Sequence, residues 1–186
     1  MICNPLREIA AVKKSLELGS DVDYIASRGE YIIAKIFAKV LGWEFVDASE
    51  VIFFKDNGLL NEKKTFTAMG DRLKALDYAV IPGFYGSLPD SSIKTFSRGG
   101  SDVTGSIVAR SVNADLYENW TDVSGMLSAD PRVVKSPRVI ENITYTELRE
   151  LSYMGASVLH EDAVFPVRKA GIPVNMANKY FFVDKE

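Results

Sequence analysis

The stretch Phe96-Ser97-Arg98-Gly99-Gly100-Ser101-Asp102-Val103-Thr104-Gly105 holds the residue types best suited to chemistry. Paired glycines let backbone N–H groups come close to a ligand, and a helix starting behind them adds partial positive charge. Arg98 supplies a two-pronged grip on a carboxylate or phosphate that a lysine cannot match. Ser101 adds a hydroxyl and Asp102 a carboxylate. Ile93, Thr95 and Phe96 have strand character, and Gly105 to Ala109 continue as a small-residue helical run, so the stretch reads as an anion site at a strand-to-helix junction. The plainer reading is a turn with Ser101 or Asp102 as its N-cap.

Three further features join it. Ser27-Arg28-Gly29-Glu30 sets a carboxylate beside a glycine at a helix start, where an acidic residue is also favoured by the dipole alone. Thr121-Asp122 follows a strand and precedes a glycine-containing loop, placed to meet a nucleoside or to form an ordinary Asx turn. Arg132, behind Asp130-Pro131, is placed to reach a phosphate or to lie on the surface.

These residues need elements to carry them. The 186 residues suit one domain, with 47% hydrophobic side chains and a net charge of −3 spread without a basic block. That argues against a nucleic-acid or membrane partner and for a cytoplasmic chain without signal peptide or membrane span. Cys3 and His160 are the single cysteine and histidine, which excludes a disulfide framework, a thiolate cluster and a multi-histidine metal site. Phosphoryl transfer suits what remains, because it depends on positioning and electrostatics.

Leu6, Ile9, Val12 and Leu16 predict a helix closed by Gly19. Tyr31, Ile32, Ala34, Ile36, Phe37 and Val40 predict a buried helix ending near Gly42. Short strands are expected at 45–48 and 51–54, a hairpin turn at Asn57-Gly58, and a largely surface-facing helix over 66–76. A buried strand at 79–81 leads into the glycine loop Pro82-Gly83-Phe84-Tyr85-Gly86, and another strand spans 115–120. Thr144 and Glu147 form a capping-box pattern before a helix that presents Leu148, Leu151 and Met154 and stops at Gly155. A helix over about 161–170, kinked or started at Pro166, and a strand over 172–176 complete an alternating α/β pattern with a mostly parallel sheet.

Taken in order, several motifs resemble aspartate kinase. They are Ser27-Arg28-Gly29-Glu30, Ile81-Pro82-Gly83-Phe84-Tyr85-Gly86, Phe96 to Asp102, Glu118-Asn119-Trp120-Thr121-Asp122-Val123-Ser124-Gly125, Asp130-Pro131-Arg132, and Leu148 to His160. The likeness runs from about residue 21 to 176 and is nearest to enzymes of Gram-positive, clostridial type. It implies a three-layer αβα sandwich of the amino acid kinase (carbamate kinase-like) fold. It also implies transfer of phosphate from Mg2+-bound ATP to the side-chain carboxylate of L-aspartate, at the head of lysine, threonine and methionine biosynthesis. By motif, Glu30 resembles the carboxylate that meets the substrate amino group, and Arg98, with Gly99, Gly100 and Ser101, the clamp on its carboxylate. Asp102 resembles the catalytic aspartate that orients the phosphate-binding groups. Thr121, Asp122, Leu127, Arg132 and Ser157 fall at nucleotide contacts, and Mg2+ is held mainly through the ATP phosphates, with no protein metal site. A homo-oligomer is implied for the full-length protein.

Ser157 stands where many relatives have lysine, and Leu127 where an aromatic is common. The family's opening strand and Lys-Phe-Gly-Gly motif find no counterpart, nor do the regulatory ACT domains. The expectation is a kinase domain (1–186) that is incomplete at its N-terminus, inactive alone and prone to self-association. Fixed electrostatic groups of the missing kind are each worth about 3–4 kcal/mol, and a missing central strand exposes edges. The alternatives are a glutamate- or carbamate-type kinase of the same superfamily and a non-catalytic binding module.

Overall fold

A computed structural model describes residues 5–121, 126–130, 133–153 and 161–178. α1 (Pro5–Glu17) ends before Gly19, whose φ of 71° only glycine adopts freely. α2 (Val22–Leu41) starts where the Asp21 carboxylate accepts the Asp23 N–H at 2.8 Å and stops at a left-handed Gly42. The apolar spacing predicts a buried helix here. Instead, Phe37 and Val40 are 54% and 76% exposed, as are Leu6, Ile9 and Leu16 of α1. The interior face of α2 is made by Ser27, Arg28, Ala34 and Ala38. Ser27, Ala34 and Ala38 are small enough to let the helix lie close to the strands beneath, with the larger apolar Phe37 and Val40 exposed.

β1 (Glu44–Phe45) pairs in parallel with β2 (Ala79–Val80), Glu44 opposite Ala79 and Phe45 opposite Val80. The expected strands at 45–48 and 51–54 are cut short between them. Asp47 accepts the Ser49 N–H at 3.0 Å and turns Ala48–Val51 into the one-turn helix α3. Phe53 and Phe54 keep single bridges to Ser87 and Leu60. The Asn57-Gly58 turn forms as expected, with Lys55 N–H donating to Leu59. α4 (Glu62–Leu73) is less superficial than its sequence implies, since Thr65, Met69 and Leu73 recur every four residues and are buried.

The glycine loop expected at 82–86 gives way at Tyr85 to β3 (Tyr85–Ser87), antiparallel to β4 (Ile93–Thr95). α5 (Gly100–Ser111) follows, then β5 (Tyr117–Thr121), then an antiparallel hairpin of β6 (Met126–Leu127) and β7 (Val139–Ile140). α6 (Tyr145–Tyr153) carries the predicted capping box. The Glu147 carboxylate accepts the Thr144 N–H at 2.8 Å, and Glu147 N–H donates to the Thr144 hydroxyl at 3.2 Å. Met154 and Gly155 lie outside the described residues. α7 (Glu161–Ala170) contains Pro166 in its interior, and β8 (Val174–Asn178) pairs in parallel with β5 over five residues.

Two apolar clusters form the core. Val46, Ile52, Met69, Tyr85, Val103 and Ile107 dominate the first, and Ala109, Leu148, Val164, Val167 and Ile172 the second. α5 belongs to both, so the helix behind the Arg98 turn is the spine of the domain. Its buried Ser106 hydroxyl accepts the Val167 N–H of α7 at 3.3 Å. Among the described residues no helix is long and apolar enough to cross a membrane.

Candidate functional site

Gly99, with φ 56° and ψ 26°, is the N-cap of α5 and brings no side-chain bond to it. Ser101 and Asp102 therefore fall in the first turn and are not spent on capping, which corrects the plainer sequence reading. A helix start leaves its first N–H groups without intrahelical partners. Here they lie beside Arg98 and Ser101, both exposed.

The loop after β2 is clamped onto this turn. A methyl on Gly100 would sit 2.6 Å from Phe84 Cβ, and one on Gly83 3.1 Å from the Ser101 hydroxyl. The Thr104 hydroxyl donates to Gly100 O at 2.8 Å and accepts the Phe84 N–H at 3.1 Å. Phe84 itself takes a φ of 59°, unusual for a residue with a side chain, and its carbonyl accepts the Phe96 N–H. Sequence pattern thus locates the motif, but its fit depends on contacts between segments that are apart in the chain.

Asp102 is held from β5. The Asn119 amide donates to its Oδ1 at 2.8 Å and to the Tyr117 hydroxyl at 3.1 Å, and that hydroxyl donates to the Asp102 carbonyl at 3.3 Å. Burial pushes the Tyr117 phenol up, donation from Asn119 draws it partly back, and the Asp102 charge adds to the rise. Sequence reasoning passes over Asn119 and Tyr117. The available signal is their alternation with exposed Glu118 and Trp120, which turns polar groups inward on a strand.

Ser27 to Glu30 do not open a helix, since α2 starts at Val22 with Asp23 as its first-turn acid; Glu30 is half-buried in its interior, three residues from buried Ser27 and four from buried Ala34. α2 is tied to β4, because Asp23 accepts from Lys94 Nζ at 2.8 Å and from the Thr95 hydroxyl at 2.6 Å. Burial pushes the Asp23 carboxyl up, but these two donors and the Lys94 charge outweigh it and hold it low. Arg28 lies over the rings of Tyr24, Tyr31 and Tyr85 at 4.6, 4.5 and 5.5 Å. The Tyr85 hydroxyl donates to Asp47 at 2.8 Å, and burial with the Asp47 charge pushes that phenol far up. The hairpin carrying Arg98 at its end is thereby locked beneath the helix carrying Glu30. Among the described residues neither the Glu30 nor the Arg98 side chain has a hydrogen bond or ion pair, so both charges are uncommitted.

Of the residues expected at nucleotide contacts, Thr121 ends β5 opposite Asn178, and half-buried Leu127 pairs with Val139 in the hairpin. Asp122, Arg132, Ser157 and His160 lie outside the described residues. A cavity of about 710 Å³ is lined by Ile140, Thr144, Glu147 and Val174 among others and includes none of the sequence-predicted site residues. The Arg98 turn is an open cradle.

Residues 4–178 match the amino acid kinase family. Aspartokinase 3 of Bacillus subtilis is 42% identical over 166 residues, covering 84% of this chain and 36% of the relative. The chloroplastic aspartokinase 1 of Arabidopsis thaliana is 33% identical over 184 residues, covering 91% of this chain and 32% of the relative. Among solved structures, an aspartate kinase of Clostridium acetobutylicum superposes with a TM-score of 0.91 at 56% identity, over 96% of this chain and 41% of that one. Aspartokinase III of E. coli, in complex with aspartate and ADP, gives 0.79 at 26% identity, over 94% and 42%. The chain spans between 32% and 42% of the length of these relatives. Its architecture is the α/β amino acid kinase fold, and the chain belongs to the amino acid kinase family.

Proposed function

We propose, from that family membership, that the chain carries the L-aspartate-facing wall of an aspartate kinase. In this reaction a side-chain carboxylate oxygen of L-aspartate attacks the γ-phosphorus of ATP. The new O–P bond forms as the bond to the β,γ-bridging oxygen breaks, giving 4-phospho-L-aspartate and ADP. The product is an activated acyl phosphate suited to the biosynthesis of lysine, threonine and methionine. The reading makes the longer protein a cytoplasmic homo-oligomer.

The observation that carries it is the pair of uncommitted opposite charges, Arg98 and Glu30, on elements locked together by the Asp23 tie. A zwitterionic amino acid calls for one of each. Arg98 grips a carboxylate in two-pronged fashion, with Ser101 and the N–H groups around Gly99 and Gly100 beside it. Glu30 takes the ammonium group. Asp102 orients the phosphate-binding groups. Thr121, Asp122, Leu127, Arg132 and Ser157 face ATP. Mg2+ is carried in on the ATP phosphates.

Titration calorimetry of the whole chain tests the reading with L-aspartate and with succinate, which lacks the amino group. Arg98→Ala is expected to weaken L-aspartate binding by roughly 10- to 100-fold, the worth of a charge-assisted grip. Glu30→Gln is expected to abolish the preference for L-aspartate over succinate. No L-aspartate binding by the parent chain, or equal affinities in all three proteins, would sink the reading.

A further inference from the structure

We infer that Asn119 is a positioning residue that fixes the Asp102 carboxylate in one orientation and leaves its second oxygen open to the site; this rests on the reading of Asp102 as part of that site.

The argument is one of donors and acceptors. The Asp102 carboxylate, when ionised, only accepts hydrogen bonds. The Tyr117 hydroxyl has one proton, and it is directed to the Asp102 carbonyl at 3.3 Å. Facing Asn119, then, are two oxygens that both need a donor, Asp102 Oδ1 at 2.8 Å and Tyr117 Oη at 3.1 Å. A single NH2 group with two protons satisfies both, and its bonds fix which way the amide faces. Aspartate, leucine or serine at this position supplies no such pair.

Sterics bring the three groups together. Asn119 is 6% exposed, so its donors have little access to competing water. Gly105, one turn beyond Asp102, has no side chain where a methyl would lie 2.5 Å from the Tyr117 hydroxyl oxygen. The absence of that methyl admits the phenol against the first turns of α5. β5 itself is held in register by its five-residue pairing with β8, Asn119 opposite Met176. The orientation of Asp102 is thus transmitted from the sheet, and no neighbour on α5 supplies it.

Asp102 Oδ2 has no bond among the described residues. A carboxylate tied at one oxygen and free at the other is held ready for a ligand without first losing rotamer freedom. Asn119 touches neither substrate in this scheme and acts through Asp102.

Heteronuclear three-bond couplings from the Asp102 backbone nitrogen and carbonyl carbon to its carboxyl carbon report its χ1 angle directly in the whole chain, with no ligand present. The parent is expected to show a single rotamer. Asn119→Leu is expected to show averaged couplings, whereas Tyr117→Phe, which keeps the Asn119–Asp102 bond, retains one rotamer. Asp102→Ala gives the reciprocal reading, at least a tenfold loss of exchange protection at the Asn119 side-chain amide. A second measurement uses Mg2+-ATP as probe. Asn119→Leu and Asp102→Ala should each weaken it by about five- to tenfold, and the double variant no further, because the two act as one unit. A single Asp102 rotamer in folded Asn119→Leu, or additive losses in the double variant, overturns the inference. If Asn119→Leu fails to fold, Asp102→Ala decides, and an Asn119 amide unchanged by it overturns the inference too. Absence of any Mg2+-ATP binding in the parent counts against the kinase reading, while the couplings still decide the role of Asn119.

Discussion

Between Gly83 and Asn119 the chain is held by approaches that leave no room for a methyl group and by bonds from buried polar side chains, whereas the β6–β7 hairpin hangs on a two-pair ladder. The hairpin adds the Ser128 N–H donating to Arg138 O at 2.8 Å and the Arg138 N–H donating to the exposed Ser128 hydroxyl at 3.1 Å. Val133, Val134 and Val139 around it are exposed. The first region draws on the core, with α5 shared by both apolar clusters, while the hairpin lies at its margin. The wall that carries Arg98 is therefore set by the packing of the fold itself. Among the described residues the hairpin has fewer such ties.

Substitutions should separate the two regions. The largest effect is expected from Gly100→Ala, whose methyl meets Phe84 Cβ at 2.6 Å and Phe84 Cα at 2.8 Å. Overpacking against backbone should destabilise the chain by about 3 kcal/mol in urea unfolding, and a loss below 1 kcal/mol would show that the wall yields.

A smaller effect belongs to the Asp23 tie. Its carboxyl is held below the ordinary carboxylate value in the folded chain. Its contribution is complete above that ordinary value and is lost as pH falls through the lower folded one. Asp23→Asn should therefore lower stability near neutral pH by about 1 kcal/mol, a modest figure because Lys94 is well exposed and salt screens the pair. The difference from the parent should shrink toward pH 3, and a constant difference from pH 7 to pH 3 would contradict the assignment.

The smallest change is expected in the hairpin, where Ser128→Ala removes an exposed acceptor and should alter stability by under about 0.5 kcal/mol. A larger loss would place the hairpin in the same class as the wall.

What the sequence made legible follows the same division. The Arg98-Gly99-Gly100 turn, the Asn57-Gly58 hairpin and the Thr144–Glu147 capping box are local devices, each readable from four or five consecutive residues. Apolar spacing finds α1 and α2 but misjudges the burial of α2, because periodicity marks a helix without saying which face a neighbour covers. On α2 that face belongs to Ser27, Ala34 and Ala38. The helix at Ala48–Val51 is hidden between two short apolar stretches that read as strands, and its formation turns on one Asp47 carboxylate. Asn119 was invisible for a different reason, since its role depends on Asp102 and Tyr117 meeting it across two elements.

The near-contact at Gly100 has a genetic consequence. Trimming Phe84 even to glycine would leave its Cα 2.8 Å from a methyl at position 100, with Phe96 Cβ a further 2.9 Å away. The obstruction therefore includes main chain, and no change of side chain at position 84 alone removes it. A second-site suppressor of Gly100→Ala must displace the backbone of one of these segments. The turn bearing Arg98 lies between Phe96 and Gly100, so a revertant that recovers the fold this way is expected to recover it with an altered grip on its ligand.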